Sequence, residues 1–344
     1  MTKTKKYFFF RKNKPPLIIA EISGNHGGSK KRFLNLIKLA CINGADLIKI
    51  QTYEPKDITL NKSSEKFRIK SGIWKNETLW NLYKKACTPF NWHDDAFDIA
   101  KKYNKVLFSS PFSIRAVDKL ESLNCKIYKI ASFEITDLKL INYIASKNKP
   151  IIISTGMASE KEIMLALKEI RKFHNKIIIL HCVSSYPTKL QDINLQRIGE
   201  LKKKFKTNLI GLSDHTKDLT SSYISTAFGV VAIEKHFKID DKLKTPDSSF
   251  SITPIQLKEL KEKTLEIFNS FKNKSNYSEN VSYKLRRSIF AKKNIKKNQK
   301  LSTSNIETYR PKIGVCASEY FRILGKKINK NLKPGDPIFK KNIV

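Results

Sequence analysis

Eight apolar runs of strand length, each separated from the next by a longer stretch with helical spacing of its hydrophobic residues, constrain this 344-residue chain more than any other feature. The runs cover 17–22, 46–51, 105–110, 126–132, 150–155, 176–182, 208–213 and 230–236. Among the intervening helical patterns, "KRFLNLIKLACING" ends at Gly44, and "SEKEIMLALKEIRKFH" opens on Ser159 with Glu162 three residues on, the spacing of a capping box. A last helix, "IQLKELKEKTLEIFNSF", follows Thr253 and Pro254, residues suited to an N-cap and a first turn. Eight strand-and-helix units over about 260 residues have the size and rhythm of a closed parallel (β/α)8 TIM barrel, an α/β fold. The alternative, an open doubly wound sheet, lacks the Gly-x-Gly-x-x-Gly that would follow its first strand.

Past Phe271, the polar stretch "KNKSNYSENVSYK" reads as a linker, and from Leu285 short strand-like pieces and a "KPGDPIF" turn suggest a small β-rich domain. The expected organisation is a barrel over 1–272, a linker over 273–284 and a small domain over 285–344.

The 40% hydrophobic content is ample for such a core. Five cysteines, Cys41, Cys87, Cys125, Cys182 and Cys316, are odd in number and without Cys-x-x-Cys spacing, which argues against a disulfide framework or zinc cluster and for a reducing cytoplasm. "MTKTKKYFFFRKNKPP" has too short an apolar segment for a signal peptide, and no later run is long enough to span a bilayer, so a soluble cytoplasmic protein with no membrane partner is expected. The formal net charge of +36 raises the question of nucleic acid. The lysines are spread along solvent-facing helix positions with no basic arm and no DNA- or RNA-binding motif, so none is expected, although a positive field would draw in small anions.

The chemistry concentrates at strand ends. "VVAIEKHF" runs from apolar residues into Glu234, Lys235 and His236, and nearly every other strand also finishes on polar residues: Glu21, Lys49, Gln51, Ser110, Lys129, Ser132 with Glu134 just beyond, Ser154, Ser184 and Ser213 to His215. Singly, each suits a solvated or salt-bridged position. Eight strand ends in agreement point instead to the C-terminal mouth, where barrels of this kind carry their active sites. Lys49 and Lys129 lie inside apolar runs, so their ammonium groups need buried anions, and with serines at 110, 132, 154 and 213 they describe a pocket for phosphate and carboxylate. His215 and His236, on neighbouring strand ends, either share a divalent ion with open coordination positions or form a hydrogen-bonded structural pair. Glu234 would orient an imidazole or hold a metal-bound water in the first case.

The succession "IAEISGNHGGS", "ADLIKIQTY", "LFSSPF", "YKIASFEITD", "PIIISTGMAS", "LHCVSSYPT", "GLSDHT", "IEKHF" and "TPDSSFSI" resembles the sialic acid synthase family, the phosphoenolpyruvate-condensing synthases of nine-carbon acidic sugars. The C-terminal part resembles the family's antifreeze-like (SAF) domain, with "YRPKIG" departing at Lys312 and Ile313 from the usual Arg-Pro-Gly-x-Gly. "SGIWKNETLWNLYKKACTPFNWH" and "TPDSSFSI" are closer to the pseudaminic acid synthases than to the N-acetylneuraminate synthases.

The resemblance implies that Lys49, Lys129, Ser110, Ser132, Ser154, Ser184 and Ser213 hold phosphoenolpyruvate, and that His215 and His236 bind Mn or Mg. It implies Glu134 as the base acting on water, with Glu21 as second choice; Glu234 is the remaining acid of the site. Gln51, Tyr186 and Asp247 would bind an amino sugar, 2,4-diacetamido-2,4,6-trideoxy-L-altrose, with Asn25 and His26 lining the mouth. Arg310 would reach a substrate across a domain-swapped homodimer. N-acetylneuraminate or legionaminate synthesis is the nearest rival, and a non-catalytic sugar-acid-binding barrel the rival of another class.

Overall fold

The computed structural model describes residues 13–207, 209–271 and 279–344, in two compact units that meet in sequence between Lys272 and Asn273. In the first, β1 (Leu17–Glu21), β2 (Leu47–Thr52), β3 (Val106–Pro111), β4 (Tyr128–Ile130), β5 (Ile151–Ser154), β6 (Ile177–Cys182), β7 (Ile210–Asp214) and β8 (Ala232–His236) close in chain order into a barrel. Neighbours are parallel throughout, including β8 beside β1. The (β/α)8 expectation holds. Asn208, at the start of the seventh expected strand, lies outside the described residues. The fourth strand is shorter than the sequence suggested, because the chain turns into a short 3-10 segment at Ser132–Glu134.

The helices α1 (Lys30–Ile42), α2 (Pro55–Ile58), α3 (Leu79–Ala86), α4 (His93–Lys102), α5 (Ile114–Ser122), α6 (Leu138–Ser146), α7 (Glu160–Arg171), α8 (Arg197–Lys204), α9 (Thr220–Ala227) and α10 (Pro254–Ser270) fill the connections, three of them between β2 and β3. In α1, Phe33, Leu36, Ile37, Ala40 and Cys41 recur at helical spacing and are buried together. The expected capping box forms, and the Thr253 N-cap proves to be part of another. Ser159 Oγ accepts from the Glu162 amide while Glu162 accepts from the Ser159 amide, and Thr253 does the same with Gln256 ahead of Pro254. The shared core is dominated by isoleucine and leucine from the strands, such as Ile18, Ile50, Ile153 and Ile233. Each such side chain contributes ~1.5–3 kcal/mol on burial.

The second unit has its own core around Ile289, Ile306, Val315, Ile328 and Ile338. Its antiparallel pair is β9 (Ser288–Ala291) with β10 (Ile306–Tyr309), and a short α11 (Asn280–Lys284) occupies the end of the stretch read as a linker. At "YRPKIG", the Lys312 amide donates to Lys284 O and the Ile313 amide to Ser288 Oγ, each at 2.9 Å. The turn therefore closes through backbone groups that most residue types supply. Gly314 is different: its φ is +83°, and a Cβ there would stand 2.3 Å from Ile338 O. Among the described residues no helix is long and apolar enough to cross a membrane.

Candidate active site

The strand pleat sorts the polar strand ends onto two sides. Ser213 and Glu234 are register partners on β7 and β8, as are Asp214 and Lys235. Ser213 and Glu234 point inward and are hydrogen-bonded to each other at 3.1 Å. Asp214 and Lys235 point outward, where Asp214 meets Ser221 and Ser222 of α9. The acid, base and imidazole that end β8 are thus divided: Glu234 and His236 face the mouth, and Lys235 faces the helical layer. Thr52 and Ser109 also lie on the outer side, in a buried chain with His93 of α4.

Inside, four charges alternate with almost no exposure. Lys49 Nζ lies 3.1 Å from Glu21 Oε2 and 3.2 Å from Glu234 Oε1, and Lys129 Nζ lies 3.7 Å from the same Glu234 oxygen. Burial would raise the Glu234 pKa, but Lys129 and Lys49 outweigh it and keep this carboxylate ionised. For Lys49 the neighbouring Glu21 and Glu234 outweigh burial and push its pKa up. Lys129 is lowered, chiefly by burial. Glu21 is pushed up to about 7, mostly by burial, with the Glu234 charge adding to it and Lys49 opposing. Gln51 donates to Glu21 Oε1 and is within hydrogen-bonding distance of Ser23 Oγ, both at 3.0 Å.

Hydroxyls gather around these charges. Lys129 donates to Ser154 Oγ at 2.6 Å, and Ser132 Oγ accepts from the Gly156 amide at 3.1 Å. Ser110 Oγ, Ser184 Oγ, Glu134 Oε2, Glu234 Oε2 and His236 Nδ1 are buried atoms without a hydrogen bond. Buried polar atoms are rarely left unpaired, so such a concentration marks a place for a ligand or water. Glu134 sits at the end of the Ser132–Glu134 segment, and burial lifts its carboxyl to about 7 despite the pull of Lys129.

The imidazoles of His215 and His236 lie edge to face, 5.3 Å between ring centres. His215 Nδ1 is 3.0 Å from Val183 O, a pure acceptor, so Nδ1 carries a proton; burial would lower this imidazole, but Cys182, with Glu234 behind it, outweighs burial and raises its pKa. Burial, followed by the His215 charge, holds His236 well below the ordinary histidine range, and it is neutral. Its Nδ1 stands 4.0 Å from Asp247 Oδ2, which accepts from the Gly24 amide at 3.1 Å. Tyr186 packs on His215 at 4.5 Å between ring centres.

Two expected mouth residues are occupied elsewhere. Asn25 donates to Phe237 O and Ser251 Oγ and accepts from Thr245, so its amide joins the loop after β1 to the loop after β8. His26 accepts from the Gly28 amide, is paired with Thr88 and lies against Phe33 and Trp92; burial lowers it to about 4. Both are wall residues with no free polar group. Arg310 belongs to the second unit, exposed just after β10.

Three residues of this site escaped the sequence reading. A Cβ on Gly156 would lie 2.2 Å from Ser184 Oγ and 2.9 Å from Ser132 Oγ, so only glycine lets those hydroxyls approach. Cys182 Sγ lies 3.8 Å from His215 Nδ1, and its thiol is lowered to about 7 because His215 outweighs burial. Trp74 donates its indole N–H to Pro246 O at 3.0 Å and packs on Tyr186, continuing the aromatic wall outward from His215. The glycine after a strand-end Ser-Thr and the tryptophan in "GIW" were visible signals; nothing local marked the cysteine.

The NeuB family model matches residues 36–276 and the SAF domain model residues 286–344. The chain is 40% identical to a pseudaminic acid synthase of Helicobacter pylori, over 94% of this chain and 96% of that one. It is 36% identical to an N,N'-diacetyllegionaminic acid synthase of Campylobacter jejuni, over 94% and 99% respectively. The solved N-acetylneuraminic acid synthetase of Leptospira borgpetersenii superposes with a TM-score of 0.69 at 32% identity, covering 78% of this chain and 90% of that one. Sequence and barrel agree over most of the chain's length, and the protein belongs to the NeuB family, with a SAF domain after its barrel.

Proposed function

We propose that this protein is a pseudaminic acid synthase, condensing phosphoenolpyruvate with 2,4-diacetamido-2,4,6-trideoxy-L-altrose and releasing phosphate. The observation that carries the reading is the set of unpartnered buried atoms on Ser110, Glu134, Ser184, Glu234 and His236 around Lys49 and Lys129. A phosphate and a carboxylate would satisfy both ammonium groups and the hydroxyls of Ser110, Ser132, Ser154, Ser184 and Ser213. The 40% identity to a pseudaminic acid synthase, against 36% to the legionaminic one, favours the trideoxy-altrose acceptor.

The two histidines suit a divalent ion such as Mn or Mg. In its neutral form His215, with Nδ1 donating to Val183 O, would offer Nε2, and His236 is neutral with an unpartnered Nδ1. An ion held there would polarise the sugar aldehyde as a Lewis acid. In the reaction, the methylene carbon of phosphoenolpyruvate bonds to the aldehyde carbon, whose oxygen takes up a proton. Water adds to the central carbon, giving up a proton, and the C–O bond to phosphate breaks. Glu134, whose Oε2 is unpartnered and whose pKa burial lifts to about 7, would take the water's proton, with Glu21 the alternative base. Gln51, Tyr186 and Asp247 would position the sugar. The unit over 1–272 is the catalytic part of this reading. The SAF unit, with Arg310, would serve the partner's barrel in a swapped homodimer working in the cytoplasm.

The test is phosphate release and product mass on a panel of sugars, with metal added. Turnover of the trideoxy-altrose supports the reading, and exclusive turnover of N-acetylmannosamine overturns it.

A further inference from the structure

We propose that Asp214 and Lys235 are positioning residues that fix the spacing between His215 and His236 from outside the barrel. Both are fully buried, and they are register partners on β7 and β8, each immediately before one of the histidines. Lys235 Nζ lies 3.2 Å from Asp214 Oδ2 and donates to Thr216 O at 2.6 Å and Asp218 O at 2.8 Å, so the strand carrying His236 grips the loop that carries His215. Asp214 Oδ2 also accepts from Ser221 at 2.7 Å and Ser222 at 2.6 Å, tying β7 to α9. Its Oδ1 accepts from the Thr216 amide and hydroxyl at 2.8 and 2.7 Å. His215 is thereby bracketed by residues 214 and 216 of one cluster, and His236 adjoins its lysine.

Stability does not account for this arrangement. A buried ion pair offers little over apolar residues of similar volume, because desolvation offsets its attraction. What it adds is direction: several hydrogen bonds, each with one good geometry, leave the two imidazoles one relative placement. Groups that orient a metal-binding histidine affect ion affinity by ~10–100-fold.

The inference rests on the metal reading above, and its test separates the two. In an Asp214→Asn/Lys235→Met double variant, which leaves no unpaired buried charge, Mn2+ binding followed by electron paramagnetic resonance should weaken ~10–100-fold. The far-ultraviolet circular dichroism should be retained and KM for phosphoenolpyruvate should stay within about twofold while kcat falls. A folded double variant with wild-type Mn2+ affinity overturns the inference, as does an equal loss in phosphoenolpyruvate affinity. Should the double variant fail to fold, Thr216→Val keeps both charges and removes one shared hydroxyl; it should weaken Mn2+ binding on the order of 3–10-fold, and wild-type affinity overturns the inference. A wild type that takes up no Mn2+ removes the metal reading alone. The imidazole 1H–15N resonances of His215 and His236, resolvable among six histidines, then decide: displaced in the variant they support the cluster's role, and unmoved they overturn it.

Discussion

The two sides of the same strand ends differ in how completely their polar groups are satisfied. On the outer side, Thr52, Ser109 and His93 form one closed hydrogen-bonded chain, and Asp214, Lys235, Thr216, Ser221 and Ser222 form another. On the inner side, one residue away, Ser110, Glu134, Glu234 and His236 each leave an atom unpaired. Identical residue types thus do opposite jobs: the outer set gains its partners on folding, whereas the inner set is left for a ligand. Unpaired buried groups cost about 1–3 kcal/mol each, so the ion pairs and hydrogen bonds within the inner set leave a residual cost that the surrounding structure offsets.

The comparison is sharpest at His236. Replacing it with alanine should abolish turnover and metal retention while the barrel stays folded, seen by phosphate release and bound-metal analysis; full activity in a chelated sample would break the assignment. Next comes Glu134→Gln, expected to slow phosphate release by ~10²–10⁴-fold with phosphoenolpyruvate binding intact. A base must be ionised, so wild-type turnover should rise with pH through about 7, and the glutamine variant should lose that limb; a limb that persists transfers the role to Glu21, whose carboxyl is also lifted to about 7. The linked stability effect has a definite sign. The folded pKa lies above the usual value of 4.5, so Glu134 favours the fold when protonated and disfavours it as pH rises through about 7. Denaturant titrations should show the variant gaining on wild type over that window.

A smaller effect is expected at Gly156→Ala, where the added methyl collides with Ser184 Oγ. A rise in KM for phosphoenolpyruvate is expected with a stability loss of ~1–3 kcal/mol, and an unchanged KM would remove these serines from the anion pocket. Least affected in turnover should be Thr52→Val on the outer side. It leaves His93 Nε2 without its partner, while Nδ1 keeps Pro89 O, and loses ~1–3 kcal/mol of stability, with kcat within about twofold of wild type; a large kcat loss would erase the distinction between the sides.

The barrel was legible because each strand is a short apolar run with a helical pattern behind it, and the runs at 46–51 and 176–182 match their strands to within a residue. β4 ended early because Ala131 and Ser132 leave the strand for a turn that no apolar pattern signals. The inner set was legible as a class, since lysines, serines and histidines at many strand ends share one mouth in this topology. The side each residue takes was available from the period-2 alternation in "IEKH", which places Lys235 opposite Glu234 and His236. Asn25 and His26 were not separable from site residues by sequence, because what occupies them, Ser251, Thr245 and Thr88, comes from distant parts of the chain. Cys182 acquires its lowered pKa from groups on or just after other strands, chiefly His215 and then Ser132 and Lys129.

The seam between first and last strands has a consequence for biosynthesis. Asn25 and Phe237, hydrogen-bonded across that seam, are 212 positions apart, and Glu234, which both lysines share, lies on the final strand. A nascent chain cannot complete the charge cluster until nearly the whole barrel has left the ribosome. Nascent fragments ending before β8 therefore emerge with two cations lacking their common counterion.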